Sequence, residues 1–569
     1  MTEGHAGSPA LARTRASVAL EHARRALAGA TAAWKRIPLR EPWRVLLPLL
    51  AVHWVALVLF AGSVRNNGWL FYQGGDQIWY WTTGWLLGHG WIGEPLVSHG
   101  WSLVLAPFAL AAGPAYVVAL PGIVLLQVLV LAPIALWCVY DLAGRIGGRL
   151  VGYLAAGLWT IGPYLAIPFF ADRYHEKYVE LFLPHPLGLT AMADYPAVVL
   201  LLVAAAFAVR AAQGRDWGAA LVAGLAAGFA GGIKPSSFIF APMPAIALLL
   251  WRRWRQLLPY GVGIAPALGA LTLWKYQGFG FVPAFSYEQV RLAAGADVLL
   301  APYRKYVHID WSHLHINLLG LREVFWSMRL LEWAPVAGAI AVTRRSPATA
   351  LFLSLWFWGF FVVKGSAATS SVDSGSFFRL VLPAVPALVV MVAALPVLLP
   401  RVGARLADRH ALPAPRAVPR WTVALAVLGL GVTPIAAAAV VRPLEGPERS
   451  VQVNEIAVPV DAGLGLEGRV EGAAVRLRWR EAPSGTGKVF YKLLRSRGRG
   501  DVDCILHPGG ADECLATGEV ARATRSTAAV DRPGPGTWTY RLGVGANYLN
   551  DPAAGDIFLV SAPVTVTVR

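Results

Sequence analysis

Long uncharged runs alternate with short basic clusters over the first three quarters of the chain, and each run is about as long as a helix that crosses a bilayer. The pattern predicts eleven spans, near 45–63, 117–140, 150–168, 194–209, 217–233, 237–251, 257–274, 325–343, 348–363, 380–399 and 421–441. One stretch is awkward, because Gly100 to Tyr140 carries no charge and is too long for a single span. Two spans there would place Arg145 and Arg149 outside and invert everything after them. One span preceded by an interfacial or re-entrant helix at 101–113 keeps both arginines inside, and every later cluster then obeys the positive-inside rule. Arg13, Arg15, Arg24, Arg25, Lys35, Arg36 and Arg40 put the basic tail 1–43 in the cytoplasm. The expected outer loops are 64–116, 169–193, 275–324 and 364–379, and an odd number of crossings leaves the C-terminus outside.

Past residue 448 the runs shorten and alternate, as in Val475-Arg476-Leu477-Arg478-Trp479, Val489–Leu494, Thr537–Leu542 and Val564–Val568, with Gly, Pro and Ser turns between. That is the signature of a small antiparallel β-sandwich over 448–569. Its Leu-x-Trp, Phe-Tyr-x-Leu-x-Arg and Tyr-x-Leu-x-Val strands resemble, in that order, a fibronectin type III module. Cys504 and Cys514 flank a Pro-Gly-Gly turn there, where a disulfide makes sense outside the cytosol, whereas Cys138 lies mid-span as a small packed hydrophobe. The fold class is therefore a polytopic α-helical membrane protein carrying a C-terminal all-β domain, multi-pass in the plasma membrane.

Composition agrees: 56% of the 569 residues are hydrophobic and 15% charged, with 23 Trp and 17 Tyr suited to interfacial belts. The net charge of +17 would suit nucleic acid, but the arginines fall between spans where topology requires them, so no nucleic-acid partner is expected. Membrane lipid is the expected surrounding.

Candidate chemistry starts at Gly74-Gly75-Asp76-Gln77-Ile78-Trp79-Tyr80, just after the first span. An acid among aromatics where membrane meets water is costly to place and marks a site. Asp76 reads as facing an outer cavity and handling a proton; the alternative is a helix cap, since Gly-Asp before an apolar run is also an N-cap pattern.

Several further motifs follow in order. The first outer loop continues through Gly88-His89-Gly90-Trp91-Ile92-Gly93-Glu94-Pro95 and Gly100–Phe108; span four opens Ala193-Asp194-Tyr195-Pro196; span five ends Ala230-Gly231-Gly232-Ile233-Lys234-Pro235; span ten opens Phe377-Phe378-Arg379-Leu380-Val381-Leu382-Pro383-Ala384-Val385-Pro386. Over 44–442 this resembles the GT-C superfamily of membrane glycosyltransferases, in particular the protein mannosyltransferase and aminoarabinose transferase branch. It departs in having Gln77 where that family often has a second acid.

The resemblance implies an inverting enzyme that moves a sugar from a polyprenyl-phosphate donor to a glycan, lipid or protein acceptor. Asp76 would be the base. Lys234 and Arg379 would meet the departing phosphate, unless they snorkel to headgroups. Asp194 is either a second site acid or the partner of Lys234. Asp172, His175 and Glu176, and Arg304 and Lys305, are further donor or acceptor contacts, although a solvated loop also accounts for the first three. A divalent metal is a further option, because His89, Glu94 and His99, or His308, His313 and His315, are suitable residue types, but their spacing matches no ligand template. No Gly-rich phosphate loop follows a strand, which disfavours a soluble nucleotide-sugar enzyme. The rival reading is a multi-span transporter or lipid flippase; no internal repeat at a fixed offset supports it. The β module is a candidate carbohydrate or partner contact.

Overall fold

The computed structural model describes residues 41–63, 75–92, 98–166, 184–276, 309–324, 328–373, 375–399, 411–443, 449–453, 456–485, 487–498, 521–524, 526–546 and 556–569. Asp172, His175, Glu176, Arg304, Lys305, Glu94, His308, Cys504 and Cys514 lie outside the described residues.

The chain opens with α1 (Trp43–Ser63), α2 (Asp76–Gly88), the two-residue β1 (Trp91–Ile92) and α3 (His99–Ala112). A stop follows at Gly113, whose φ of 76° an L side chain would resist. Then α4 (Tyr116–Leu126) passes through a π turn at Gln127–Leu131 into α5 (Ala132–Gly147), making one continuous 32-residue helix. The uncharged stretch thus resolves into a short helix and one long one. Next come α6 (Arg149–Ala166), α7 (Pro184–Leu187), α8 (Asp194–Gly214), α9 (Trp217–Ile233), a 3-10 turn at Pro235–Phe240 and α10 (Pro242–Leu250). The bundle continues with α11 (Trp254–Tyr276), α12 (Trp311–Val324), α13 (Met328–Thr343), α14 (Pro347–Gly365), α15 (Ser376–Val381) and α16 (Val385–Ala393). Finally α17 (Arg420–Ala426) runs through a second π turn into α18 (Thr433–Val440).

Among the described residues, seven helices are long and apolar enough to cross a membrane: 43–62, 116–147, 194–214, 254–274, 347–365, 376–398 and 420–440. The expected spans at 217–233 and 237–251 are shorter apolar helices, and those at 150–168 and 325–343 are helices outside the seven. The outward faces are apolar: Val58 of α1 and Val440 of α18 are 71% and 72% exposed. Such faces call for lipid as their solvent.

Glycine sets the packing of α9 on α11. A Cβ on Gly224 would lie 2.0 Å from the Tyr260 carbonyl oxygen, and one on Gly263 would lie 2.5 Å from that of Leu221. A Cβ on Gly100 would lie 2.6 Å from the Gly232–Ile233 backbone, so α3 also rests directly on the end of α9. The Gly/Ala-rich helix therefore packs as closely as its composition predicts.

Strand β2 (Arg442–Pro443) leads into the all-β domain: β3 (Ser450–Val453), β4 (Ile456–Asp461), β5 (Glu467–Glu471), β6 (Ala474–Arg478), β7 (Phe490–Arg497), β8 (Ala521–Thr524), β9 (Ala528–Asp531), β10 (Gly536–Ala546), β11 (Asp556–Ser561) and β12 (Val564–Val568). One sheet runs β3-β4-β11-β10-β7-β8 with β12 beside β10, and the second runs β5-β6-β9. The wholly antiparallel expectation is corrected at one place, where β4 and β11 pair in parallel, Val560 opposite Val460. No hairpin links two strands so far apart in sequence, so nothing local forces them antiparallel.

The β domain is seated on α2. The Thr82 hydroxyl, between the carbonyls of Ile78 and Ala457, lies 2.7 Å from the latter, in β4. β1 pairs in parallel with β2, Trp91 opposite Arg442, and the Arg449 guanidinium lies 5.0 Å over the Trp91 ring. Buried apolar side chains run without a break from α2 and α3 into the strands.

Candidate functional site

Four charged residues from four separate stretches meet at one end of the bundle. Asp76 is the first residue of α2, after Gly75 at φ 52°, a backbone that favours glycine. Gly75 holds the N-cap position, so Asp76 is the first-turn acid of α2. Its Oδ2 accepts from the Arg379 guanidinium. Arg379 also donates through Nε to Asp194 Oδ2 at 2.8 Å, while the Lys234 ammonium donates to Asp194 Oδ1. The order is Asp76–Arg379–Asp194–Lys234.

Each member stands where the local sequence interrupts a helix. Asp194 opens α8 two residues before Pro196, and its charge suits the first turn. Lys234 closes α9 in an extended conformation (φ −140°, ψ 108°) that Pro235 after it favours. Arg379 rides on the short α15, which starts after Gly375 at φ 76°.

Burial separates the two acids. The Asp194 side chain is 1% exposed with both oxygens occupied, whereas that of Asp76 is 39% exposed. Asp194 is thus the partner of Lys234 and is joined through Arg379 to Asp76. Both cations are ion-paired to Asp194.

A layer of neutral hydrogen bonds holds the acids in place. Gln77 is fully buried, and its Oε1 accepts from the Ala191 N–H at 2.8 Å and from the Tyr116 hydroxyl. Trp101 Nε1 donates to the Ala191 carbonyl at 2.7 Å, and Gln127, reaching from the π turn, donates to Thr190. The run leading to Asp194 is therefore strapped from α2, α3 and the long helix together. On the Arg379 side, Asn317 Nδ2 donates to Gly365 at 2.9 Å and to Ser370 at 3.1 Å, and its Oδ1 accepts from Val372 N–H at 3.1 Å.

The histidines do other work. His313 Nε2 bonds the Ser370 carbonyl, His315 is exposed, His89 Nδ1 bonds the Trp85 carbonyl, and His99 is buried against Trp274. Among the described residues no group of three or more His, Cys, Asp or Glu could hold a metal.

No family model matches the chain, and no curated protein matches it in sequence. Among solved structures the chain is similar to the oligosaccharyltransferase of Archaeoglobus fulgidus. Against its apo form the TM-score is 0.41 at 12% identity, covering 72% of this chain and 57% of that one. Against the form tethered to an acceptor peptide containing the NVT sequon the values are 0.39, 14%, 72% and 57%. Against the complex with Zn and sulfate they are 0.34, 15%, 71% and 54%. The chain spans little more than half the length of these structures. A likeness of that size assigns no family.

One residue at the site is not evident from sequence. Tyr80 lies one turn after Asp76 on α2 and is buried. Burial raises its phenol well above the ordinary tyrosine range, Asp76 and Asp194 raise it further, and Arg379 opposes them. It stays protonated and able to donate. The i, i+4 spacing from Asp76 was the available signal, lost among the aromatics around it.

Proposed function

We propose that the chain is a GT-C-type membrane glycosyltransferase, transferring a sugar from a polyprenyl-phosphate donor to an acceptor on the outer face of the plasma membrane. The observation that carries this reading is the convergence of Asp76, Arg379, Asp194 and Lys234, each predicted separately, into one network with one accessible acid. Asp76 is the base: it is the exposed carboxylate, and Arg379 on Oδ2 leaves Oδ1 for the acceptor. The acceptor hydroxyl or amine loses its proton to Asp76 as its heteroatom bonds to the anomeric carbon. The bond from that carbon to the phosphate oxygen breaks on the opposite face, its electron pair leaves with polyprenyl phosphate, and the anomeric centre inverts. Arg379 and Lys234 stabilise charge growing on that oxygen. Asp194 touches no reactant in this scheme; it orients the two cations. The N-terminal tail lies in the cytoplasm and the β domain outside.

The test uses protein in lipid nanodiscs and a panel of radiolabelled polyprenyl-phosphate sugars. Wild type is expected to release or transfer label, and Asp76→Asn to lose about two to four orders of magnitude, the usual contribution of a general base. A wild type that turns over none of the donors overturns the reading. Turnover untouched by Asp76→Asn removes Asp76 as the base.

A further inference from the structure

Two sides of α2 are taken up by packing. Gln77, Trp81, Gly84 and Gly88 lie along one of them. Gln77 accepts from the Tyr116 hydroxyl, and Trp81 Nε1 donates to the Pro114 carbonyl at 2.8 Å. A Cβ on Gly84 would lie 2.8 Å from the Ser102 carbonyl oxygen, and one on Gly88 would lie 2.9 Å from Leu110. This side therefore belongs to α3 and the start of α4. Ile78 and Thr82 lie along the second, where the Thr82 hydroxyl meets Ala457 of β4. The third side holds Asp76, Trp79, Tyr80 and Thr83, the i, i+3, i+4 and i+7 positions that share one face of a helix.

This third face carries uncommitted hydrogen-bonding groups. It opens at Asp76, whose side chain is 39% exposed, and runs inward to Tyr80 and Thr83, which are 6% and 4% exposed. Among the described residues neither the Tyr80 nor the Thr83 hydroxyl makes a hydrogen bond, and the Trp79 indole N–H is buried without a partner. Buried groups of these types normally have partners. The face bears no cation; Arg379 comes from α15 and Lys234 from the end of α9, and both are bound to Asp194. A phenol, an alcohol and an indole beside one carboxylate suit a neutral ligand rich in hydroxyl groups.

We propose that this face of α2 is the subsite for the transferred sugar, with Tyr80 and Thr83 hydrogen-bonding its hydroxyl groups, Trp79 beside them and Asp76 at the end where the acceptor enters. This rests on the glycosyltransferase reading for the identity of the ligand. A sugar hydroxyl both donates and accepts, so it can meet a phenol or an alcohol whichever way their protons turn. A phosphodiester only accepts, and it would find no positive charge here. The donor's phosphate therefore stays with Arg379 and Lys234 while its sugar lies along α2.

The probes are the panel of polyprenyl-phosphate sugars and bare polyprenyl phosphate of the same chain length, bound to the full chain in phosphatidylcholine nanodiscs. Wild type is expected to bind at least one sugar-bearing lipid about tenfold more tightly than the bare phosphate. Tyr80→Phe and Thr83→Val should each cut that preference by about twofold to tenfold, the range of one neutral hydrogen bond, and leave affinity for the bare phosphate unchanged. Because neither hydroxyl has a protein partner among the described residues, both variants should melt as wild type does, which separates lost binding from lost folding. A preference untouched in both variants overturns the inference, as does a wild type that binds all the lipids alike. If the bare phosphate weakens in step with the sugar-bearing lipid, the face meets phosphate and the inference fails. If donor binding holds and only the KM for the acceptor rises, the face belongs to the acceptor and the inference fails. A preference that depends on Tyr80 and Thr83, without transfer from any donor, would leave the sugar subsite standing and overturn the glycosyltransferase reading.

Discussion

One guanidinium, that of Arg379, touches both Asp76 and Asp194, yet one carboxylate is 39% exposed and the other 1%. Under the proposed function the difference separates their tasks, because a base must meet its substrate and a buried acid with both oxygens bound cannot. It also separates their mutants. Asp194→Asn strands Lys234 and half of Arg379 in a dry place, and breaking such a pair costs about 3–5 kcal/mol. Asp194→Asn should therefore lower the unfolding midpoint in detergent strongly. The double variant Asp194→Asn/Lys234→Met should cost less than the two single changes summed, with a coupling of about 0.5–3 kcal/mol. Strict additivity in that cycle would show that the Asp194–Lys234 pair contributes nothing. The four network residues were legible in the sequence because they stand near helix ends: Asp76 follows Gly75, Lys234 precedes Pro235, Asp194 lies two residues before Pro196, and Arg379 follows the helix start at Gly375. Tyr80 was not, since an aromatic among aromatics reads as an interfacial anchor.

At the scale of elements, helix contacts built on glycine decide whether the network assembles, because α9 delivers Lys234 only if it seats against α3 and α11. Gly224→Ala would place a methyl group 2.0 Å from a backbone carbonyl oxygen, and the helices would have to part. Overpacking of this kind costs about 1–3 kcal/mol. Gly261, on the same α11 surface helix, has nothing within 4 Å of its Cβ position. Gly261→Ala should be neutral, or stabilise by up to about 1 kcal/mol through helix propensity. Thermal melts of the two variants check this pair, and equal melting temperatures would count against close packing of α9 on α11. The Gly/Ala run of α9 was readable as a packing surface, but its partner was not, since periodicity names a face and leaves its neighbour open. The same holds for Gln77 and Gln127: their residue type shows that they need partners, and only the fold reveals that both meet the run at 190–191. In the strands, alternation predicted pairing but not the parallel contact of β4 with β11, which depends on segments about a hundred residues apart.

Across the helical part, among the described residues, two clusters of partly buried charge stand out. One is the network described; the other lies at the far end of α8, where Asp141 accepts from Arg145 Nε at 2.9 Å and from Arg210 Nε at 2.8 Å. Asp194 opens that helix and Arg210 lies toward its other end, so the two clusters are separated by its apolar length. Nearby basic residues reinforce the second end: Arg253 Nε donates to the Ala212 carbonyl at 2.7 Å and Arg344 to that of Leu398 at 2.8 Å. Lysine and arginine collect on the cytoplasmic side of membrane helices, so this second end should face the cytoplasm and the network should face away from it. The β domain docks on α2, whose first residue is Asp76, and so it must lie on the same side as the network. The proposed topology thus comes down to a single question of sidedness. A fluorescent protein that matures only in the cytoplasm should stay dark when fused after Arg569 and fluoresce when fused before Met1. Alkaline phosphatase, active only outside, should give the reverse. Fluorescence from the C-terminal fusion would put the β domain, and with it Asp76, on the cytoplasmic side, where the sugar donor would have to be presented from within the cell.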